Sequence, residues 1–261
     1  MHRPSFPFFV TAKTVRASAG AHAEQYFNPP ALHPSEPNYL WLEAGTNFGI
    51  TNDSLPATNS QSTTAHLVTL LNNAALGWKS YQEDISGSDC PLTNVGLYAP
   101  KHNPMVFFQD VTGNNNSTDP YCIAHVRPYT ELAADLTADT AAAYSFITPN
   151  LCDDGHDTCG PQNDSVKQTD DWLAAEIPNV VGSRAYQRGG VLIVTWDEGV
   201  LSDGPIGLIV LSRHAKPGYS NSIHYTHSST LRSVQDILGV SPYLGDAVNA
   251  ADLSDLFSTY P

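Results

Sequence analysis

The chain has 261 residues, with 12 Lys and Arg against 26 Asp and Glu and a formal net charge of −14. That length suits one large domain with a full hydrophobic core better than two. A surface so acidic disfavours nucleic acid and anionic lipid as partners, and no apolar run approaches the roughly 20 residues of a membrane helix.

Residues 1–22 read as an atypical N-terminal segment and residues 23–261 as a single domain. Phe6, Phe8, Phe9 and Val10 are apolar, but Pro7, Lys13 and Arg16 interrupt them and leave a block too short for a convincing signal peptide. His33-Pro34-Ser35-Glu36-Pro37-Asn38-Tyr39 follows. Two prolines around Ser35 fix the backbone and can present its hydroxyl rigidly, and Asn38 could donate an amide hydrogen bond to an oxyanion. A plain turn is the commoner meaning of such a serine. Thr64 to Leu76 places Leu67, Val68, Leu71 and Ala75 on one helical face, and Gly77 ends the pattern. Lys101-His102-Asn103-Pro104 offers a cation beside an imidazole, as exposed loops also do, and Met105 to Phe108 reads as a short strand. Asn114 to Thr118 is a polar loop tip.

A helix over Tyr129–Leu136 and a strand over Ala143–Thr148 come next. The strand leads into Asn150-Leu151-Cys152-Asp153-Asp154-Gly155-His156-Asp157, whose acids and imidazole suit metal or phosphate contact. An acidic loop tied by a disulfide explains it equally well. Asp170 to Tyr186 reads as a helix kinked or divided at Pro178. Val191-Leu192-Ile193-Val194-Thr195 then reads as a strand buried on both faces that stops on Asp197-Glu198-Gly199. Two adjacent acids repel, and a divalent cation would remove that penalty, whereas a solvated strand end needs none. Gly207 to Leu211 is a second buried strand. His224-Tyr225-Thr226-His227-Ser228-Ser229 enters a last helix, Ser229 to Leu238, stopped by Gly239. Its amino terminus with a nearby imidazole suits an anion, and capping by Ser228 or Ser229 explains the same residues. Strands alternating with helices predict an α/β sandwich with a mainly parallel central sheet.

The four cysteines, in an acidic chain rich in Asn, Ser and Thr, fit a secreted protein with two disulfides. Cys152–Cys159 is the natural short loop and leaves Cys90–Cys122; four reduced core thiols are the alternative. Glycosylation sequons start at Asn52, Asn115, Asn116 and Asn163.

The order of the motifs says more than any one of them. His-Pro-Ser-Glu-Pro-Asn-Tyr, Ala44-Gly45-Thr46, Tyr81-Gln82-Glu83-Asp84, Lys101-His102-Asn103-Pro104, the Pro149 to Asp157 loop, Thr195-Trp196-Asp197-Glu198, Ala215-Lys216-Pro217-Gly218 and Tyr225-Thr226-His227 follow one another. From about Glu24 to Phe257 this succession resembles the phosphoesterase family. That family holds secreted acid phosphatases and phospholipase C-like enzymes within the alkaline phosphatase superfamily. The resemblance implies a three-layer sandwich of that superfamily and metal-dependent hydrolysis of a small phosphate monoester through a phosphoserine. A phosphodiesterase, or an inactive relative that binds phosphorylated ligands, is the alternative. It makes Ser35 the nucleophile and a metal ligand beside Asp197 and Glu198. Asn38 would steady the phosphoryl oxygens, and His156 and His227 would be catalytic. Lys101, His102 and Asp153 would contact substrate. Members also begin with a buried strand ending in Glu-Asn, both metal ligands, and nothing before Glu24 has that form. The expectation is therefore a sheet lacking its first strand: either Pro7 to Thr14 partly occupies the vacant slot as a poor substitute, or the chain is an incomplete version of a longer protein and folds poorly alone.

Overall fold

A computed structural model describes residues 20–199 and 204–261. Its strands are β1 (Ala21–Ala23), β2 (Tyr26–Phe27), β3 (Trp78–Gln82), β4 (Val126–Pro128), β5 (Tyr144–Thr148), β6 (Val191–Thr195), β7 (Leu208–Ser212), β8 (Tyr219–Asn221) and β9 (Tyr225–Thr226). The helices are α1 (Ser35–Ala44), α2 (Pro56–Asn59), α3 (Leu67–Asn73), α4 (Gln109–Thr112), α5 (Pro120–His125), α6 (Leu132–Ala138), α7 (Ser165–Val181), α8 (Arg184–Gln187) and α9 (His227–Leu238). The α/β class with flanking helices is as expected. Parallel pairing also predominates: β1–β8, β2–β9, β3–β4 and β3–β5 are parallel, whereas β1–β7 and β6–β7 are antiparallel.

The sheet is nevertheless in pieces. One piece has the order β6-β7-β1-β8, another β4-β3-β5, and β2 pairs with β9 alone. β5 and β6 are joined by the α7 crossover, yet each is an edge strand, and among the described residues nothing pairs with its outer side. This corrects the picture of β6 as buried on both faces. All five of its residues are partly exposed, whereas four of the five in β7 are buried. An edge strand lacks the lateral neighbour that completes burial on either face. The expected replacement of the first strand by Pro7 to Thr14 falls outside the described residues. β1 does lie in the sheet, between β7 and β8, with Ala21 and Ala23 turned into the core.

Two apolar clusters hold these layers. The larger gathers Leu40 of α1, Leu67 and Leu71 of α3, Trp78 of β3, Met105 to Phe108 and Leu231 of α9. The smaller joins β1, Tyr26, β7 and Tyr225 to Leu253, Leu256 and Phe257. Both disulfides form as paired in the sequence, Cys90–Cys122 and Cys152–Cys159.

Several elements differ from expectation. The helix expected over Thr64 to Leu76 runs over Leu67–Asn73 and leaves Ala75 exposed beyond its end. Tyr129–Glu131 is a 3-10 turn ahead of α6, and α9 starts at His227 and not Ser229. Met105 to Phe108 is no strand: Pro104–Phe107 is a 3-10 turn that buries all four side chains. Pro104 fixes φ and gives no N–H, which suits the first position of such a turn and not a ladder. The helix expected over Asp170–Tyr186 instead runs over Ser165–Val181, because Asp164 caps it by accepting from Lys167 N at 3.1 Å. It keeps Pro178 inside, stops at Gly182, and the short α8 follows.

Candidate active site

Ser35 opens α1, which a sequence with prolines on both sides hides. Pro37 sits in the first turn, where its missing N–H breaks no helical bond, and Gly45 ends the helix at φ 67°. A β-carbon on Gly45 would meet Leu244 O at 2.4 Å, so glycine is required there. The carbonyls of the preceding loop are held by amides: Asn38 Nδ2 donates to Leu32 O at 2.9 Å and Pro34 O at 3.2 Å, and Asn28 Nδ2 donates to Leu32 O at 3.1 Å. The nitrogen of Asn38 is thus committed to the loop under Ser35.

Ser35 is 5% exposed, and its Oγ donates to Glu198 Oε1 at 3.4 Å. The other oxygen of Glu198 meets His33 Nδ1. Burial first, then the charge of Asp197, raise the Glu198 pKa, while His33 and Ser35 lower it. Asp197 places its backbone carbonyl on His227 Nε2 at 2.6 Å, and its Oδ2 is buried without a hydrogen-bond partner. A carbonyl only accepts, so His227 carries its proton on Nε2, and Tyr26 OH donates to Nδ1 at 2.9 Å. Burial pulls the His227 pKa down to about 4, so the ring is neutral and holds the Asp197 backbone carbonyl.

The second side of the site comes from the loop after β5 and the turn before Met105. His102 is 4% exposed, stacks on Tyr39 at 5.0 Å and brings Nδ1 to 2.9 Å from Asp154 Oδ2. That contact is an ion-pair distance without hydrogen-bond alignment, and the oxygen is otherwise unsatisfied. Tyr39 is the meeting point of both sides: burial raises its pKa first, and the charges of Asp197, Asp154 and Glu198 add to it. Lys101 Nζ donates to Asp53 Oδ2 at 3.1 Å and to His156 Nε2 at 3.0 Å. Asp153 turns elsewhere, where burial and the charges of Asp84 and Asp154 raise its pKa. Of two consecutive acids it is therefore Asp154 that joins His102. Neither Asp53 nor Tyr39 stood out in the sequence. Tyr39 at least lies within the serine motif, whereas Asp53 is marked only as the middle residue of the Asn52 sequon, which says nothing of a site.

The oxygens of Ser35, Glu198 and the orphaned Asp197 Oδ2 suit a hard divalent cation in kind. In number they fall short: among the described residues no group of three His, Cys, Asp or Glu side chains could hold a metal ion.

The family model of the phosphoesterases matches residues 10–204. The chain belongs to the phosphoesterase family. This phosphoesterase is 30% identical over 246 residues to a phosphatidylinositol-3-phosphatase of Mycobacterium tuberculosis, covering 92% of the chain and 73% of that protein. It is 28% identical to a phosphate-repressible acid phosphatase of Penicillium chrysogenum over 82% of the chain, and spans 51% of that protein's length. A solved protein of the alkaline phosphatase superfamily from Vibrio parahaemolyticus has the same fold, with TM-score 0.54 and 10% identity over 92% of this chain and 64% of its own.

Proposed function

We propose that this phosphoesterase hydrolyses phosphate monoesters with Ser35 as nucleophile. The observation that carries this is the Ser35 hydroxyl, fixed at the start of α1 and directed at Glu198 beside an unsatisfied Asp197. Ser35 attacks phosphorus in line, the leaving alcohol departs, and water then cleaves the phosphoserine. Glu198 orients the hydroxyl, His227 holds the Asp197 backbone, and Lys101 with His102 meets the phosphoryl oxygens. A divalent cation held by Ser35, Asp197 and Glu198 would supply charge neutralisation at the hydroxyl and the phosphoryl group. Acid phosphatase relatives and a relative named for a phosphoinositide both support a monoester substrate.

The shortage of metal donors supports a second reading, a non-catalytic relative that binds phosphorylated ligands. Turnover of a chromogenic monoester and of a diester, with and without added divalent metal, separates the two. Metal-stimulated monoester turnover is expected, and phosphate binding without any turnover would establish the second reading. Two disulfides support an oxidising, extracellular setting, and Asn116 and Asn163 carry exposed sequons. Among the described residues no helix is long and apolar enough to cross a membrane.

A further inference from the structure

A chain of polar contacts crosses from the disulfide loop to the nucleophile. Asp157 Oδ1 lies 2.8 Å from His156 Nδ1, and Lys101 Nζ donates to His156 Nε2 at 3.0 Å. An ammonium only donates, so the His156 proton sits on Nδ1 and faces Asp157. Lys101 also donates to Asp53 Oδ2 at 3.1 Å, and Asp53 Oδ1 accepts the backbone N–H of Glu36 at 2.9 Å. Glu36 is the residue after Ser35. The first turn of α1 receives no side-chain cap from Pro34, so Asp53 supplies, from a loop 17 residues on, the acceptor that turn lacks. The Asp53 and Lys101 side chains are 26% and 20% exposed, which leaves their pairing only partly screened by water.

We propose that Asp53 is a positioning residue and a counter-anion. It fixes the turn that carries Ser35, and it occupies Lys101 until a phosphoryl group takes the ammonium from it. The inference rests on the phosphoester reading of the site. A carboxylate and a phosphate seek the same partners, an N–H at a helix start and a cation, so they compete for Lys101. The competition weakens ground-state and product binding without touching the reacting atoms. Binding that is equally tight before and at the transition state adds nothing to the chemical step, and release of phosphate is faster when Asp53 reclaims Lys101.

Two substitutions separate the roles. Asp53→Asn keeps an acceptor for Glu36 N–H and removes the charge, and Asp53→Ala removes both. Inorganic phosphate, titrated by calorimetry and as a competitive inhibitor, should bind Asp53→Asn at least about fivefold more tightly than the unaltered chain, and kcat should fall less than in Asp53→Ala. Asp53→Ala should lose at least about tenfold in kcat while keeping the tighter phosphate binding. Lys101→Met in the Asp53→Asn background should abolish that gain. A purely structural Asp53 would instead lower thermal stability and move kcat and phosphate affinity together. Phosphate affinity unchanged in Asp53→Asn overturns the counter-anion role, and kcat unchanged in Asp53→Ala overturns the positioning role. The calorimetric titration needs no turnover. Phosphate that binds neither variant nor the unaltered chain sinks the phosphoester reading itself.

Discussion

In the proposed reaction Ser35 is the nucleophile, and its hydroxyl donates to the Glu198 carboxylate from the start of α1. Ser35→Ala should lower monoester turnover at least about a hundredfold, the usual consequence of deleting a nucleophile, with an unchanged melting temperature. Retention of more than about a tenth of the activity would remove Ser35 from that role. For the acid pair the expected effect is on cation binding. Asp197→Asn and Glu198→Gln each remove a charge beside an unsatisfied oxygen, so divalent metal should bind less tightly while the fold holds. Calorimetry with the metal alone, read against thermal melting, checks it; equal affinity in both variants would make the pair structural. Away from the site, His66 is fully buried between Glu43 Oε1 at 3.1 Å and Asp110 Oδ1 at 3.0 Å. Burial alone would lower its pKa, but the two carboxylates win and raise it to about 9. A raised pKa favours the protonated ring in the folded state, so this stability is complete below the unfolded value of about 6.5 and is lost as pH rises through about 9. The melting temperature should fall between those limits, and His66→Gln, less stable throughout, should lack that slope.

At the scale of elements, the open edges of β5 and β6 set a clear expectation. Amides on the outer side of β6 have no partner among the described residues, whereas those of β7 lie between β6 and β1. Hydrogen exchange should therefore run faster over outward Val191–Thr195 amides than over Leu208–Ser212, by at least about tenfold. Equal protection would mean that another segment covers the edge. Several elements were legible because their signals are local. β6 and β7 announce themselves by an apolar run and α9 by its apolar face and glycine stop, although its cap proved to be Thr226 with Ser229 at the third position, not Ser228 or Ser229 alone. Others were not. Met105 to Phe108 has four apolar residues and no period, and burial from several neighbours, not strand pairing, decides its form. Helix α1 hides behind Pro34 and Pro37, and it is secured by Gly45 against Leu244 and by Asp53, both distant in sequence.

For the whole molecule, the sequence by itself determined the class of fold, the acidic character and the family, and it pointed to the disulfide pairing that the structure shows. Each depends on composition, on spacing or on the order of short motifs, and these survive without coordinates. What only the tertiary structure decided is how the motifs meet. The charges of Asp154, Asp197 and Glu198 all act on Tyr39, though these acids are far apart along the chain. Which of Asp153 and Asp154 reaches His102 follows from the loop, where Asn150 Oδ1 accepts from Cys152 N at 2.9 Å and Asp153 N at 3.2 Å. The partner of Lys101 is decided in the same way, by a loop that brings Asp53 to it. Likewise the division of the sheet, and with it the partial exposure of β6, depends on which strands pair and not on how apolar they are. Local sequence fixes what a residue can do; only packing between distant segments fixes what it faces.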